Sequence, residues 1–389
     1  MERSPTEFLK LAAATADHFG FRTLDDVKRE PLCRNCQESL AHTITDQDNV
    51  LDSHDGLLIG PVRAYCEDRL YALESPVLLY GIQSAPKTGD LAVTFHIFNV
   101  EKSIGEAILI QACRSLLADL GCQGHTVRIN SLGDAESITR YNRELTNFLK
   151  RRLDTMPAPA RELMKEHPLL ALMHLVSVED ELAFRSPNPL EFLSDQSRKH
   201  FREIVEYLDM SDTPYEIDPK MLGHHECYSD AIFSLEPDTS PEEPESRITI
   251  RGGRFDEFMV RKTARRTPAV GAVVNLKNIR TPSRHPRAKA STPSVYVVQL
   301  GFGPKIQSLL LIERLRQSGV PVFHDLANDS LSAQLRDAEA RGVKYVAIVG
   351  QKEFVDQTVI LRDMFARSQE LVGHDALVRK LKRQVAARV

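Results

Sequence analysis

The chain has 389 residues, enough for two or three domains, because a single hydrophobic core usually stops growing at about 250–300 residues. Apolar residues make up 42% and charged residues 27% of the sequence, and the formal net charge is −4, so the average composition is that of a globular protein and does not indicate nucleic-acid binding. No run of about 18 apolar residues occurs, and the N-terminus MERSPTEFLK lacks the basic start and apolar stretch of a secretory signal, which predicts a cytoplasmic protein.

The first half of the chain alternates helical and strand patterns. TEFLKLAAATADHF at 6–19 has helical apolar spacing, and the short apolar runs LLIG, PVLLYGI and LAVTFHIFNVE predict strands of a mixed or antiparallel sheet. GEAILIQACRSLLADLG predicts a helix that ends at Gly121, and HTVRINSLG predicts the next strand. Residues 135–153 are again helical in pattern, and the helix-rich segment 154–205, interrupted by five prolines, predicts an insertion at about 155–205.

Two proline-rich segments divide the second half. EPDTSPEEPES at 236–246 is an acidic loop, and RTPSRHPRAKASTP at 280–293 is a basic linker. Strand and helix patterns alternate after the linker, which predicts a small α/β domain with a largely parallel sheet. We therefore predict an α+β core over 1–280 with an antiparallel sheet and a helical insertion, a linker over 281–293, and a small α/β domain over 294–389.

The cysteines predict no metal site. Cys33 and Cys36 form one CxxC pair, but no second CxxC or paired histidine stands at zinc-binding spacing. Six cysteines in so long a chain do not form a dense disulfide framework, and the other four lie among apolar or helical residues, where small buried side chains are the expected explanation.

Several motifs occur in the order found in one family. FHIFNVE, INSLGDAESITRYNRELTNFLKRRLD, ECYSDAIF, GGRFDEF, TPAVGAVV and the C-terminal strands and helices together resemble histidyl-tRNA synthetase and its paralogues, which are class II aminoacyl-tRNA synthetases, over nearly the whole chain. The resemblance implies a catalytic domain on an antiparallel sheet, a helical insertion, a C-terminal anticodon-binding domain and a homodimer. It also implies that ATP, with magnesium, and histidine are substrates of a two-step reaction that charges tRNA.

Positions that carry arginine in the resembled family are neutral here. Adenylation needs cations around a polyphosphate, and arginine suits this because its fork makes bidentate bonds to phosphate oxygens. In the second signature motif, Gln83 and Val93 stand at the two arginine positions and Ile97 replaces a glutamine. Lys87 is the only cation between positions 71 and 96, so it is the one candidate catalytic remnant.

Four further positions depart in the same direction. Asn278 stands where the third motif ends in arginine, and Gly223 stands at the arginine expected beside the α-phosphate. In LLIGPVRAY, Gly60 and Val62 replace the arginine and glutamate of a segment that holds the amino group of the amino acid. These changes remove the charges that an adenylating site needs, so we predict no cofactor, with ATP and magnesium bound only if the protein is active.

Five residues remain as candidates for ligand binding: Glu101, Glu226, Tyr228, Gly252 and Gly253. The first three match the acids and the tyrosine of the family's pocket, and the two glycines belong to the GGRF motif. The alternative explanation is structural: the glycines form a turn and Tyr228 fills the sheet.

Two groups of residues are candidates for RNA binding. Residues 251–289 contain eleven lysines or arginines against Asp256 and Glu257, a surface-like charge run that predicts a local phosphate-binding surface built on Arg261, Lys262, Arg265 and Arg266. In the C-terminal domain, Gln334, Arg336 and Arg341 lie on a helix that the resemblance places near the anticodon. A solvated helix with internal ion pairs is the alternative.

Three functions follow as hypotheses. The leading one is a dimeric histidyl-tRNA synthetase-like protein that is deficient in aminoacylation and acts in RNA binding or regulation. The second is an active, divergent histidine-tRNA ligase that uses Lys87 and the cations of 251–266. The third is a regulatory subunit of ATP phosphoribosyltransferase, against which the anticodon-binding-like domain argues.

Overall fold

The computed structural model describes residues 4–28, 53–72, 75–84, 90–122, 124–237, 248–280 and 295–386. Four features discussed above lie outside these residues: the Cys33 and Cys36 pair, Lys87, most of the acidic loop, and the linker 281–293.

A seven-stranded sheet forms the larger part of the fold, with strand order β1-β2-β7-β6-β5-β3-β4. All neighbouring strands are antiparallel except β3 and β4, which are parallel. The strands are β1 Val77–Ser84, β2 Asp90–Phe98, β3 His125–Ser131, β4 Tyr215–Ile217, β5 Ser229–Pro237, β6 Ile248–Arg254 and β7 Ala269–Arg280.

The helices of this part cover both faces of the sheet. They are α1 Pro5–His18, α2 Leu24–Lys28, α3 Ser53–Glu67, α4 Ile104–Asp119, α5 Ala135–Lys150, α6 Ala158–Glu166, α7 Pro168–Ser177, α8 Glu181–Phe184, α9 Asp195–Met210 and α10 Asp256–Thr263. Helices α6, α7 and α8 and the start of α9 lie in the segment predicted as an insertion.

Side chains alternate between the two faces along the central strand β2. Val93, Phe95 and Ile97 pack with α1 and α4, on what we call the α4 face, whereas Ala92 and Phe98 pack with α3 on the opposite side, the α3 face. Every residue from Leu91 to Phe98 is buried. A strand covered on both faces has a continuous apolar sequence, which explains the run LAVTFHIF.

The predicted strand LLIG is wrong, because residues 57–60 lie inside helix α3. Leu58, Val62 and Tyr65, at positions i, i+4 and i+7, form one buried stripe, and the predicted strand was only the first turn of this longer helical pattern. Pro61 lies within the helix and has no N–H, so the Leu57 carbonyl loses its usual helical partner. The side-chain amide of Gln83 donates to that carbonyl instead, at 3.1 Å.

A second sheet forms after the linker, with strand order β12-β11-β10-β8-β9. Strands β9, β8 and β10 are parallel, but β10, β11 and β12 are antiparallel, so the prediction of a largely parallel sheet holds for only half of the pairings. The elements are β8 Val295–Gln299, α11 Phe302–Gln317, β9 Val322–His324, α12 Leu331–Ala340, β10 Tyr345–Val349, α13 Gln351–Asp356, β11 Thr358–Asp363, β12 Ser368–Gly373 and α14 His374–Ala386. The predicted α+β class with a small C-terminal α/β part is confirmed.

Helices α4 and α11 join the two parts through one continuous apolar core. Polar contacts line the junction: the Ser115 hydroxyl donates to Glu313 at 2.7 Å, and Arg316 donates to Asp119 at 2.6 Å. Because these groups are buried or half-buried and paired, the two sheets have a defined mutual orientation.

Candidate functional site

The α3 face beside β1 and β2 is filled by helix α3. The imidazole of His96 is fully buried and donates from Nε2 to the Leu58 carbonyl at 2.7 Å. Burial lowers the pKa of His96 to about 4, so this histidine is neutral at pH 7. A Cβ added at Gly271, on the neighbouring strand β7, would lie 2.8 Å from the side chain of Leu58. Leu58 therefore rests directly on the sheet, with room only for glycine beneath it.

Gln83, which stands at an arginine position of the resembled family, is used in packing this helix. Its amide nitrogen contacts the Leu57 carbonyl at 3.1 Å and the Thr94 hydroxyl at 3.4 Å. A Cβ at Gly60 would lie 2.8 Å from its amide oxygen. Gln83 thus links strand β1 to helix α3 and does not face an open phosphate site.

Gly252 and Gly253 lie in strand β6, so the alternative that they form a turn is wrong. A Cβ at Gly252 would lie 2.5 Å from the Gly271 carbonyl and 2.5 Å from the Phe233 ring. A Cβ at Gly253 would lie 2.7 Å from the Ala231 carbonyl and 2.8 Å from the Tyr228 ring. Close packing against neighbouring strands and rings, rather than a turn, explains both glycines.

Tyr228 is 2% exposed and fills the space between two glycines. A Cβ at Gly223 would lie only 2.1 Å from its ring, so the arginine of the resembled family has no room at position 223 in this packing. Tyr228 also lies 5.8 Å from the guanidinium of Arg251, measured from ring centroid to Cζ. The tyrosine serves the core, as the structural alternative proposed, and it contacts Gly253 among the predicted ligand-binding residues.

Glu101 and Glu226 are exposed and lie against arginines of α10 and the loop that follows it. Arg266 forms an ion pair with Glu101, and Arg261 donates to the backbone carbonyl of Glu226. The predicted acids and two of the predicted RNA-binding cations are thus partners of each other. Lys262 is half-buried, 5.4 Å from the Phe258 ring, whereas Arg265 is exposed.

Arg254 corrects the prediction that the cations of 251–266 lie on the surface, because it is 1% exposed. Its Nε and Nη2 each donate to a carboxylate oxygen of Glu106 at 2.8 Å, and Nη1 donates to the Val100 carbonyl at 3.0 Å. His200 donates to the same carboxylate at 2.8 Å. Burial opposes ionisation of Glu106, but Arg254 and His200 outweigh it and lower the pKa of this carboxyl to about 2.

The sequence held a signal for this ion pair that the motif comparison missed. Helix α4 is buried on nearly every side, and Glu106 is its one acidic residue before the last turn. A buried carboxylate requires a buried partner, so the sequence indicates that Glu106 pairs with a cation of the fold without saying which one. Asp256 belongs to the same cluster: burial raises its pKa to about 6, although Arg254 acts in the opposite direction.

Gln334 is fully buried, so it cannot contact RNA as predicted. Its amide exchanges two hydrogen bonds with the backbone of Gln299, at 3.1 Å and 3.0 Å, and fixes helix α12 to strand β8. Arg336 is exposed two residues further along the helix, because positions i and i+2 point to different sides. Arg341 is exposed, forms an ion pair with Asp337 at 2.9 Å and stacks 4.2 Å from the Phe323 ring.

Three histidine rings stack beside Glu226, where the insertion meets the sheet. His225 lies 4.0 Å from His167 and 4.7 Å from His224 between ring centroids. Burial, the two neighbouring histidines and Arg261 lower the pKa of His225 to about 4. The middle ring of the stack, His225, is therefore neutral at pH 7. The GHHE motif was not recognised as a packing element in the sequence.

The described residues do not fit a magnesium-bound nucleotide in the way that the resemblance implies. Strands β1 and β2 carry no lysine or arginine over 77–84 and 90–98, and Arg254 is already bound to Glu106. Within the described ranges, no group of three or more His, Cys, Asp or Glu side chains is arranged to hold a metal ion. No helix in those ranges is long and apolar enough to cross a membrane.

The architecture of two sheets, the second of them C-terminal, indicates the class of protein. Residues 295–384 match the family described as anticodon binding domain. The fold is similar to that of the apo histidyl-tRNA synthetase of S. aureus, with a TM-score of 0.50 and 16% identity over 97% of this chain and 95% of that chain. The fold is therefore that of a class II aminoacyl-tRNA synthetase with an anticodon-binding domain.

Sequence comparison points to the same class of protein. The chain is 26% identical to the histidine–tRNA ligase of Geobacillus sp. (strain WCH70) over 345 residues, which cover 84% of this chain and 80% of that protein. It is 25% identical to the enzyme of Bacillus licheniformis over 338 residues, covering 82% and 78% of the two chains. These matches, over about four fifths of each chain, support a divergent relationship to the histidyl-tRNA synthetase family.

Proposed function

We propose that this protein is a member of the histidyl-tRNA synthetase family that does not carry out aminoacylation and that acts by binding RNA. The absence of aminoacylation is proposed from one observation. Helix α3 lies on the sheet at His96 and Gly271, and a hydrogen bond from Gln83 holds it there. The second motif of the resembled family has two arginines in this hairpin, and Gln83 and Val93 stand at those positions here.

The electrostatics support the same conclusion. Polyphosphate binding needs several cations in a water-poor site, and each lost charge-assisted contact costs about 1.5–3 kcal/mol. Gln83, Val62 and Gly223 stand at the family's charged positions, and each of them now serves local packing. Restoring one charge would not restore the site, because the space for the others is filled.

The first prediction concerns the adenylation step. With ATP, magnesium and histidine, we expect no histidine-dependent exchange of pyrophosphate into ATP above the level seen without enzyme. A conventional histidine–tRNA ligase assayed in parallel provides the positive control.

The active-ligase alternative makes the opposite forecast for this assay. Exchange that requires histidine and disappears in a Lys87→Met variant would overturn the proposal and support a ligase that uses Lys87 as its cation. Co-purification with a short ATP phosphoribosyltransferase catalytic chain would instead support the regulatory-subunit alternative, against which the anticodon-binding match at 295–384 argues.

RNA binding is proposed for two exposed groups of arginines, and we propose that the protein acts as a homodimer, as the resemblance implies. One group contains Arg261, Arg265 and Arg266 beside α10. The other contains Arg336 and Arg341 on α12, within the segment that matches the anticodon binding domain. The family of the C-terminal part favours tRNA as the ligand.

The second prediction tests the α12 group by its salt dependence. Binding of unfractionated tRNA should weaken as salt rises, because phosphate contacts release counterions. Arg336→Gln should weaken binding at low salt and reduce the slope of log K against log salt by about 1. Arg161→Gln removes an exposed arginine from insertion helix α6 and should change neither value. Equal slopes for the parent protein and Arg336→Gln would exclude Arg336 as a phosphate contact.

A further inference from the structure

A cleft of about 560 Å³ lies on the α3 face, between the insertion and strands β3, β5 and β6. Its volume is within the range of about 300–1,000 Å³ that small-molecule sites occupy. None of the five residues predicted to bind a ligand from the sequence lines it. The cleft therefore has a different lining from the site that the family resemblance suggested, although the two are neighbours, since Arg251 lies 5.8 Å from the Tyr228 ring.

Two arginines approach this cleft from one row of the sheet. Arg128 on β3 is directly opposite Ser234 on β5, which is directly opposite Arg251 on β6. Directly opposite residues point to the same face with Cβ atoms about 4.5–5.5 Å apart, so both arginines enter the cleft with the small serine between them. All three side chains line the cleft.

The polar side chains that line the cleft offer more hydrogen-bond donors than acceptors. Arg251 donates from Nη2 to the Leu222 carbonyl, but its buried Nε has no hydrogen-bond partner among the described residues. Lys220 donates to the Ser186 hydroxyl at 2.6 Å. Asp218 is already used twice, as the ion-pair partner of Arg128 and as the acceptor of the Lys220 backbone N–H at 2.8 Å.

The charge balance is positive as well. Arg128, Lys220 and Arg251 line the cleft, against Asp218 and the exposed Glu236. Guanidinium groups make their strongest hydrogen bonds to anions, so an anionic group of a ligand suits the arginines that line this cleft. The polar half of the cleft thus favours a single small anion.

The opposite wall is apolar. Met173 and Val176 come from α7, and Met221 and Leu222 come from the loop before β5. Phe184, at the end of α8, also lines the cleft and is 69% exposed. An exposed aromatic ring beside methionine and aliphatic side chains is suited to an apolar body of variable shape.

We propose that this cleft binds a small monocarboxylate with an apolar body, whose carboxylate contacts Arg251 and whose hydrocarbon part lies against the α7 wall. Arg251 is the anchor, because its guanidinium donates to a neutral carbonyl, that of Leu222, whereas Arg128 is already paired with the carboxylate of Asp218. This site goes beyond the proposed function and does not depend on it, since the arginines proposed to bind RNA, Arg261, Arg265, Arg266, Arg336 and Arg341, do not line the cleft.

The test is isothermal titration of the full chain with hexanoate, hexanol and hexylamine, which share one hydrocarbon body. We expect hexanoate to bind at least about 10-fold more tightly than either of the others, as one charge-assisted contact implies. Arg251→Met should weaken hexanoate binding about 10- to 100-fold and leave hexanol unchanged. Arg161→Met, a matched change of an exposed arginine on α6, should bind like the parent protein.

A second variant keeps the test decisive if Arg251→Met does not fold, which circular dichroism would show. Ser177→Trp adds a large ring at an exposed residue of the cleft wall and should abolish hexanoate binding while the melting temperature stays unchanged. The proposal is overturned if hexanoate shows no saturable binding below about 10 mM. It is equally overturned if hexylamine binds as well as hexanoate, or if folded Arg251→Met or Ser177→Trp binds hexanoate normally.

Discussion

Replacing Glu106 with glutamine is expected to lower the free energy of unfolding by about 3–5 kcal/mol, the usual cost of removing one partner from a buried ion pair. Glu106 is fully buried and Arg254 is 1% exposed, and two hydrogen bonds of 2.8 Å join them. The glutamine would retain one acceptor but leave the guanidinium charge without its main counterion. Urea unfolding monitored by circular dichroism measures the change, provided that the m-value stays constant.

A matched control separates burial from pairing. Glu101 also pairs with an arginine, Arg266, but its side chain is 57% exposed. Glu101→Gln should therefore cost less than about 1 kcal/mol, because water and salt screen an exposed pair. Equal losses in Glu106→Gln and Glu101→Gln would contradict the account of a buried, structurally essential pair.

The double replacement Glu106→Met with Arg254→Met refines the interpretation. Removing both charges leaves no uncompensated ion, so this protein should be more stable than the single variant Glu106→Gln. A double variant less stable than Glu106→Gln would show that the side chains matter mainly through the Val100 and His200 contacts.

Local patterns predicted the type of most elements, and they failed where a segment was too short to show its period. LLIG has four apolar residues, which suit a strand or one helical turn equally, and only the later spacing of Val62 and Tyr65 reveals helix α3. Strand β12 was missed because its residues are almost all exposed, so SQELVG carries no apolar alternation. Pairing with β11 holds it in place.

The candidate site shows the limit of composition as a guide to exposure. Arg254 and Gln334 are polar residues in charged surroundings, which predicts surface positions. Both are fully used inside the fold, by Glu106 and by the backbone of Gln299. These partners are 148 and 35 residues away in sequence, so no local pattern reveals which residues they are.

The substitutions at the family's charged positions are coupled to the packing around them. Gly223 accommodates Tyr228, Val62 joins the buried stripe of α3, and Gln83 caps the carbonyl that Pro61 leaves free. Each neutral residue therefore has a structural role of its own. This coupling explains why the departures occur together, since a filled pocket and a charged pocket require different residues at the same positions.

Gly252→Ala is expected to lower the free energy of unfolding by about 3 kcal/mol, at the upper end of the usual cost of overpacking a core. The added methyl would lie 2.5 Å from the Gly271 carbonyl, which belongs to the backbone of β7 and cannot rotate away. It would lie equally close to the Phe233 ring, so two strands of the central sheet would have to separate.

The control is Gly56→Ala, the same substitution in helix α3, where an added Cβ has no atom within 4 Å. It should raise stability by about 0.5–1 kcal/mol, because alanine loses less backbone entropy than glycine in a helix. Thermal unfolding of both variants measures the contrast. The two substitutions should change the free energy of unfolding in opposite directions. The backbone entropy that glycine loses on folding is similar at the two positions, and only the space for a methyl group differs. If Gly252→Ala left the free energy of unfolding unchanged, β6 and β7 would be able to separate without cost. That result would contradict the close packing that we describe at Gly252 on the α4 face.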